Sequence, residues 1–355
     1  MRLATWNVEW FNALFDDTGR VMNDAARSAR HDTSRAQQLA GLRAVFAAMD
    51  ADGVLIVEGP DTNSRRSTVT ALEAFARWAG LRARRAVHGY TSDSEQEIGF
   101  LFDPDRLSVR HDPAFSRDVP RFDGAFPHDV DGDGMSAMIR FSKPPLELAL
   151  VWAGRQVRVI GVHAKSKSPH GQTSATEFAR ISVENRRKQL AQCLWIRARA
   201  ADHLARGDSL IVLGDFNDGP GLDVYERQFG QSGVEIVRGT DGARLFDPHA
   251  EMALMSRAGG SPMAAEDGVS PMAAEGGVSP RPVRGGELPT TARFWLSPQK
   301  RYFEALLDFI MVSADLVPGA VWRIWHPFND PEITPELRKA LLAASDHFPV
   351  TIDVP

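Results

Sequence analysis

Short apolar runs that each stop on a polar or acidic residue recur along this chain, and they limit its fold more than any other feature. Leu3 to Val8 contains Asn7, and Val54-Leu55-Ile56-Val57 runs into Glu58. Val157 to Val162 leads into His163, and Leu210-Ile211-Val212-Leu213 passes through Gly214 to Asp215. Leu306-Leu307 and Phe309 to Val312 surround Asp308. Each run is too short for a helix and rich in β-branched residues, which reads as a buried strand. Helical patterns lie between them. Residues 34–50 place Leu39, Leu42, Phe46 and Met49 on one stripe, residues 68–79 stop before Gly80, and a long segment, 176–205, stops at Gly207. Elsewhere strands follow one another directly, at 81–102 and 139–163. The mixture predicts an α/β or α+β sandwich, sheet-rich with helices outside.

The 355 residues, 43% of them hydrophobic, read as one domain over 1–355. One segment departs from that texture. Residues 261–280 nearly duplicate the unit SPMAAEDGV and are rich in Pro, Gly, Ala and Ser, which predicts a low-complexity surface insertion at about 256–290. Two copies are too few for a solenoid. The net charge of -5 gives no global positive field, so any polyanion must be held by a local patch. A single cysteine, Cys193, rules out an intramolecular disulfide and a Cys-based zinc cluster; among Leu190, Leu194 and Ile196 it reads as a buried structural thiol. The chain opens Met-Arg-Leu with no h-region and has no apolar stretch of the roughly 18 residues a membrane span needs. A cytoplasmic protein is expected, and no protein partner is inferred.

The polar residues at the strand ends carry the chemistry. In Leu213-Gly214-Asp215-Phe216-Asn217-Asp218, an acid and an amide two residues apart project beyond a strand. Asp215 there can orient or deprotonate a water, and Asn217 can hold that water or a phosphoryl oxygen. A turn whose Asp and Asn bond the backbone satisfies the same residues. Ser345-Asp346-His347 places a histidine where it can act as acid or base, and Asp308, a carboxylate within an apolar strand, needs a partner. His163-Ala164-Lys165-Ser166-Lys167 adds a donor and two cations, although lysines after a strand are commonly just solvated. Glu58 suits a hard divalent cation. Asp129 to Gly134 imitates the start of an EF-hand loop, but the twelfth position is Arg140 in place of the bidentate Glu, so an acidic turn is expected.

Together and in this order, Thr5-Trp6-Asn7-Val8, the strand ending on Glu58, His163, Gly214-Asp215-Phe216-Asn217, Leu307-Asp308-Phe309-Ile310 and Ser345-Asp346-His347 resemble the endonuclease/exonuclease/phosphatase superfamily, the DNase I-like enzymes. The match spans residues 5 to 350. The resemblance implies a four-layer αββα sandwich, two mixed β-sheets flanked by helices, and Mg²⁺-dependent phosphoester hydrolysis by in-line attack of water, with Mn²⁺ as a substitute. Carried over, Glu58 is the main metal ligand with Asn7 and Asp346 beside it. Asp215 handles the attacking water, Asn217 supports phosphate and metal, His163 stabilises phosphoryl charge, and His347, held by Asp308, does acid-base work or binds phosphate. Many relatives place a further acid before the strand that here runs Ile98 to Phe102; Glu97 is nearest and Glu95 is the alternative.

A nuclease-type phosphodiesterase acting on nucleic acid is the first functional expectation. The His-x-Lys-Ser-Lys segment resembles that of bacterial members described as nucleases, and Arg186, Arg187 and Lys188 add charge on the next helix. A phosphatase or phosphodiesterase for a small molecule or lipid head group is the alternative. The inositol 5-phosphatase branch is disfavoured, because Leu307-Asp308-Phe309 lacks its Cys-Asp-Arg signature. A dead binding module would have lost an acid or a histidine, and here every position is filled.

Overall fold

The computed structural model describes residues 1–92, 96–129, 134–168, 174–221, 228–240, 243–258, 289–296 and 300–355. The 261–280 repeat and most of the acidic turn at 129–134 lie outside them.

Two mixed sheets organise the chain. The first has six strands: β1 (Arg2–Asn7), β2 (Gly53–Gly59), β3 (Arg85–His88), β4 (Glu97–Phe102), β14 (Val321–Ile324) and β15 (Val350–Asp353), in the order β14-β15-β1-β2-β4-β3. The second has five: β5 (Leu107–His111), β8 (Leu146–Trp152), β9 (Arg155–His163), β10 (Leu210–Asp215) and β13 (Asp308–Val312), in the order β13-β10-β9-β8-β5. Two small ribbons stand apart, β6 (Phe126–His128) with β7 (Ala137–Ile139), and β11 (Ala292–Leu296) with β12 (Arg301–Ala305).

Period-two alternation sets the layers. On β2, Leu55 and Val57 join a core that also holds Ile160, Leu213 and Ile310 of the other sheet, while Val54 and Ile56 face a second core under the helices. That outer layer is α1 (Arg35–Met49), α2 (Thr68–Ala79) and α6 (Pro335–Ala344), which supply Leu42, Phe46, Phe75 and Leu341. The opposite layer is α3 (Ala175–Ala205), whose Trp195 and Ile196 pack on the five-stranded sheet, with α4 (Gly233–Arg238) against α3. A further helix, α5, covers Pro248–Ala258. The αββα sandwich is therefore present. The stripe Leu39, Leu42, Phe46 and Met49 is buried as its spacing predicts. A capping box from Ser34 and Gln37 starts α1, and Gly80, at φ 72°, ends α2. Cys193 is fully buried, and burial pushes its thiol far above the ordinary range.

Both long crossovers return the chain in parallel. β1 pairs with β2 in parallel through α1, and β9 pairs with β10 in parallel through α3. Parallel neighbours end on the same side, so Asn7 and Glu58 share one rim, and His163 and Asp215 share another. The sheets approach closely beneath these rims: a Cβ on Gly161 would overlap the Leu55 side chain.

Candidate active site

Register places three polar side chains abreast. Asp215 ends β10 opposite His163 of parallel β9 and opposite Asp308 of antiparallel β13. All three are buried. The turn into this row needs glycine: Gly214 has φ +142°, and a Cβ there would collide with the Val162 carbonyl. Asp308 is the first residue of its strand rather than an interior one, and its amide donates to Thr291 Oγ1 at 3.0 Å. Asp215 accepts from Asn7 Nδ2 (3.0 Å), Asn217 N (2.7 Å) and Asn217 Nδ2 (3.2 Å). Asn217 holds this geometry from a left-handed backbone, φ 49°. The turn-type bonding and the convergence on one carboxylate thus coexist in the same residues.

His347 arrives from the other sheet, in the turn between α6 and β15. Its backbone is pinned by Trp6 Nε1 to the His347 carbonyl (2.9 Å) and by its own amide to Ser345 Oγ (3.1 Å), while Ser345 Oγ donates to the Asn7 carbonyl (2.7 Å). Its Nδ1 lies 2.8 Å from Asp308 Oδ2, the pairing the sequence anticipates. Burial opposes a charged imidazole, but Asp308, Asp215 and Asp346 outweigh it and hold His347 well above its ordinary 6.5. The reverse holds for His163: burial, then Lys143, His347 and Lys165, push it well below 6.5, and its Nε2 stands 3.8 Å from Asp215. Burial and the Asp308 charge push Asp215 up to about 7 against the pull of His347.

A second group sits on the β1–β2 rim. Glu58 lies at a register shift between Ile56 and Gly59 with φ 61°, an uncommon backbone for a side chain of this size. It accepts from Asn7 Nδ2 (3.4 Å), Trp10 N (3.1 Å) and Gln96 Nε2 (2.8 Å). Asp346 is pushed up to about 7 by burial, with Glu9 and Glu58 adding to it against His347. Glu9 accepts the Asp346 amide at 3.2 Å and is paired with Arg30. Asn7 Oδ1 is buried with no hydrogen-bond partner. Crowded carboxylates beside an orphaned amide oxygen form a hard-oxygen donor set that fits a divalent cation. Asp215, Asp308 and His347 also place one ligand atom each within 4.8 Å of one another. His347 Nδ1 already bonds Asp308 in that group, and Asn7 Oδ1, Glu58 and Asp346 stand near it as further oxygen donors.

Other residues near the site carry weaker sequence signals or none. Glu9 is an acid two residues past Asn7. Lys143 donates to Gln96 Oε1 (2.5 Å), and its ammonium is disfavoured by burial although Glu58 and Asp215 attract it. Gln96, rather than Glu97, reaches Glu58. Glu97 faces His88 Nε2 (3.2 Å) and the Ser92 amide (3.0 Å), while Glu95 lies outside the described residues. Two expectations need correction. Arg186 is fully buried, 2.5 Å from Asp218, so it is no surface cation. Lys167 also turns to Asp218, at 2.9 Å. The desolvated carboxylate of Asp218 claims both. Lys165 keeps an ammonium that is half-buried, depressed by burial and by Lys188.

The model of the Endonuclease/Exonuclease/phosphatase family matches residues 4–347. No curated protein sequence matches significantly. Among solved structures, TDP2 from Caenorhabditis elegans aligns with a TM-score of 0.49 at 12% identity, over 99% of this chain and 74% of that one. A 3′ phosphatase, NExo from Neisseria, bound to a product DNA hairpin, aligns with a TM-score of 0.47 at 15% identity, over 100% and 99%. The human Nocturnin catalytic domain gives 0.46 at 13%, over 100% and 94%.

Proposed function

The chain belongs to the endonuclease/exonuclease/phosphatase family, hydrolases of phosphoesters, and from that premise we propose a nuclease-type phosphodiesterase that uses Mg²⁺ or Mn²⁺. The observation that carries the reading is the row His163–Asp215–Asp308 with His347 bonded to Asp308 at 2.8 Å, beside the ammonium groups of Lys143 and Lys165. Cations in a poorly solvated wall suit the charge of any phosphoester, and the preference for a polynucleotide over a small head group is supported by the His163-Ala164-Lys165-Ser166-Lys167 segment.

In this reading Glu58, Asn7 and Asp346, with Glu9 beside them, would hold the cation, and a bound cation would supply charge neutralisation for the phosphoryl group. Asp215, oriented by the N–H groups of Asn7 and Asn217, accepts a proton from the attacking water. His347, kept protonated by Asp308, offers a proton to a phosphoryl or leaving oxygen. Neutral His163 donates an N–H to the phosphoryl group, and Lys143 adds charge there. None of these groups forms a covalent intermediate.

The test is a panel with the purified protein: plasmid, single-stranded oligonucleotide and phosphomonoesters, each with Mg²⁺ or Mn²⁺, against Asp215→Asn. Cleavage of polynucleotide that Asp215→Asn loses is the expected result. Hydrolysis that depends on Asp215 but is confined to monoesters would replace this reading with a phosphatase. Activity indifferent to Asp215 would overturn the site itself.

A further inference from the structure

On the β1–β2 rim an amide stands between a cation and a carboxylate. Gln96 immediately precedes β4 of the six-stranded sheet, and Lys143 lies in the segment that leads from β7 into β8 of the five-stranded sheet. Lys143 donates to Gln96 Oε1, and Gln96 Nε2 donates to Glu58 Oε2 at 2.8 Å. Chemistry fixes the direction of both bonds. An ammonium can only donate and an ionised carboxylate can only accept, so a single orientation of the amide satisfies both partners. Register brings the groups together: Gly59 pairs with Glu97, Gln96 is the residue before that pair, and Glu58 sits in the irregularity between Ile56 and Gly59.

The two oxygens of Glu58 are used unequally. Oε2 takes the Gln96 amide and the Trp10 N–H at 3.1 Å, whereas Oε1 has, among the described residues, only the long 3.4 Å contact from Asn7 Nδ2. Oε1 is therefore the oxygen left for a cation, beside the orphaned Asn7 Oδ1. Lys143 is a rival for that place. Its half-buried ammonium is attracted first by Glu58 and then by Asp215, and a lysine carries its compact charge on a flexible four-carbon stem. With no group interposed, that charge would close on the Glu58 carboxylate and take up its lone pairs. The interposed amide keeps the ammonium at the rim, where a phosphoryl group would arrive.

We propose that Gln96 is a positioning residue that spaces Lys143 from Glu58, so that the carboxylate keeps Oε1 for a divalent cation and the ammonium keeps its charge for the phosphoryl group. The inference rests on the metal-dependent phosphoesterase reading and deepens it, for a polynucleotide and a small phosphoester alike. Methionine at this position would fill a similar volume without separating the charges, so the amide is what matters.

The test measures Mn²⁺ binding by titration calorimetry, with no substrate present, in wild type, Gln96→Met, Lys143→Met and the double variant. Glu58→Gln serves as the reference for a lost site. Gln96→Met should weaken Mn²⁺ binding by about 10- to 100-fold. Adding Lys143→Met should restore most of that loss, because the competing charge is gone. Lys143→Met alone should bind Mn²⁺ at least as tightly as wild type, yet bind inorganic phosphate in Mg²⁺ more weakly. Wild-type Mn²⁺ affinity in Gln96→Met would overturn the spacer. So would a double variant as weak as Gln96→Met, since the amide would then act only by orienting Glu58. If Gln96→Met fails to fold by circular dichroism, Lys143→Met still decides, because weakened Mn²⁺ binding or unchanged phosphate binding contradicts the spacer. If wild type binds Mn²⁺ through Glu58 but cleaves no polynucleotide, only the nuclease reading fails. If Glu58→Gln binds Mn²⁺ like wild type, the metal site itself is misplaced and the spacer fails with it.

Discussion

A carboxylate that takes a proton from water works best when its pKa lies near the working pH. Burial beside Asp308 brings Asp215 there, at about 7, while the surrounding carboxylates keep His347 protonated above its ordinary 6.5. The base form of Asp215 grows as pH rises through about 7, and the acid form of His347 is lost at higher pH, so kcat/KM should trace a bell. Asp308→Asn removes a charge that raises both groups. Both limbs should therefore move to lower pH, and limbs that stay put would refute the coupling. Asp215→Asn should lower kcat by roughly 10²- to 10⁴-fold. The same change removes a buried charge, so the metal-free variant should melt above wild type at pH 8 by differential scanning calorimetry.

At the scale of elements, α3 shows how a charged helix can serve the core. Its Arg186 and Gln189 are fully buried. Arg186 holds Asp218, and Gln189 Nε2 donates to the carbonyls of Phe216 and Asn217 (3.2 and 3.0 Å), so the helix props the loop that presents Asp215. Arg186→Met should cost about 3–5 kcal/mol in chemical denaturation, because Asp218 loses one of its two buried counter-charges and keeps only Lys167. Lys188, which is exposed, behaves differently. If the substrate is a polynucleotide, Lys188→Ala should leave stability nearly unchanged and reduce the salt slope of binding by about 1. A weakened salt slope from Arg186→Met in the folded protein would contradict this division. Sequence periodicity revealed α3 but could not separate these roles, since adjacent cations in a helix look alike until a neighbouring loop supplies a buried acid.

For the whole molecule, the meeting of the two sheets determines how stability depends on pH. Asp215 and Asp346 are both pushed to about 7 on folding, so the folded state holds more protons than the unfolded chain between roughly pH 4 and 7. Stability from these groups falls as pH rises across that window. His347 adds to the trend: its raised pKa stabilises the fold below about 6.5, and that contribution is lost as pH rises through its folded value. His163 opposes the trend, because its depressed pKa favours the fold as pH rises to about 6.5. The test is therefore the difference: in EDTA the melting temperature of Asp346→Asn, relative to wild type, should rise from pH 5 to pH 9. Mg²⁺ should raise the wild-type melting temperature more at pH 8 than at pH 5, because a cation is worth most where the carboxylates are ionised. Equal stabilisation at both values would argue against the Asn7–Glu58–Asp346 side as the metal centre.

The sequence by itself determined the stripe of α1 and the strands that carry Asn7, Glu58, His163, Asp215 and Asp308 at or beside their ends, because hydrophobic period and terminal polar residues are local properties; it did not reveal the β6–β7 and β11–β12 ribbons. It also carried the order of motifs from which family and layer architecture follow. Only the tertiary structure decided which of these side chains meet. Asp308 and His347 are 39 residues apart and pair across two sheets. Glu9 and Lys143 join the rim with no motif to mark them, and Arg186, Lys167 and Glu97 turn away from it to buried or nearby partners. A carboxylate's role depends on its counter-charges and solvation, and both are set by residues distant in sequence that only the packed fold brings together.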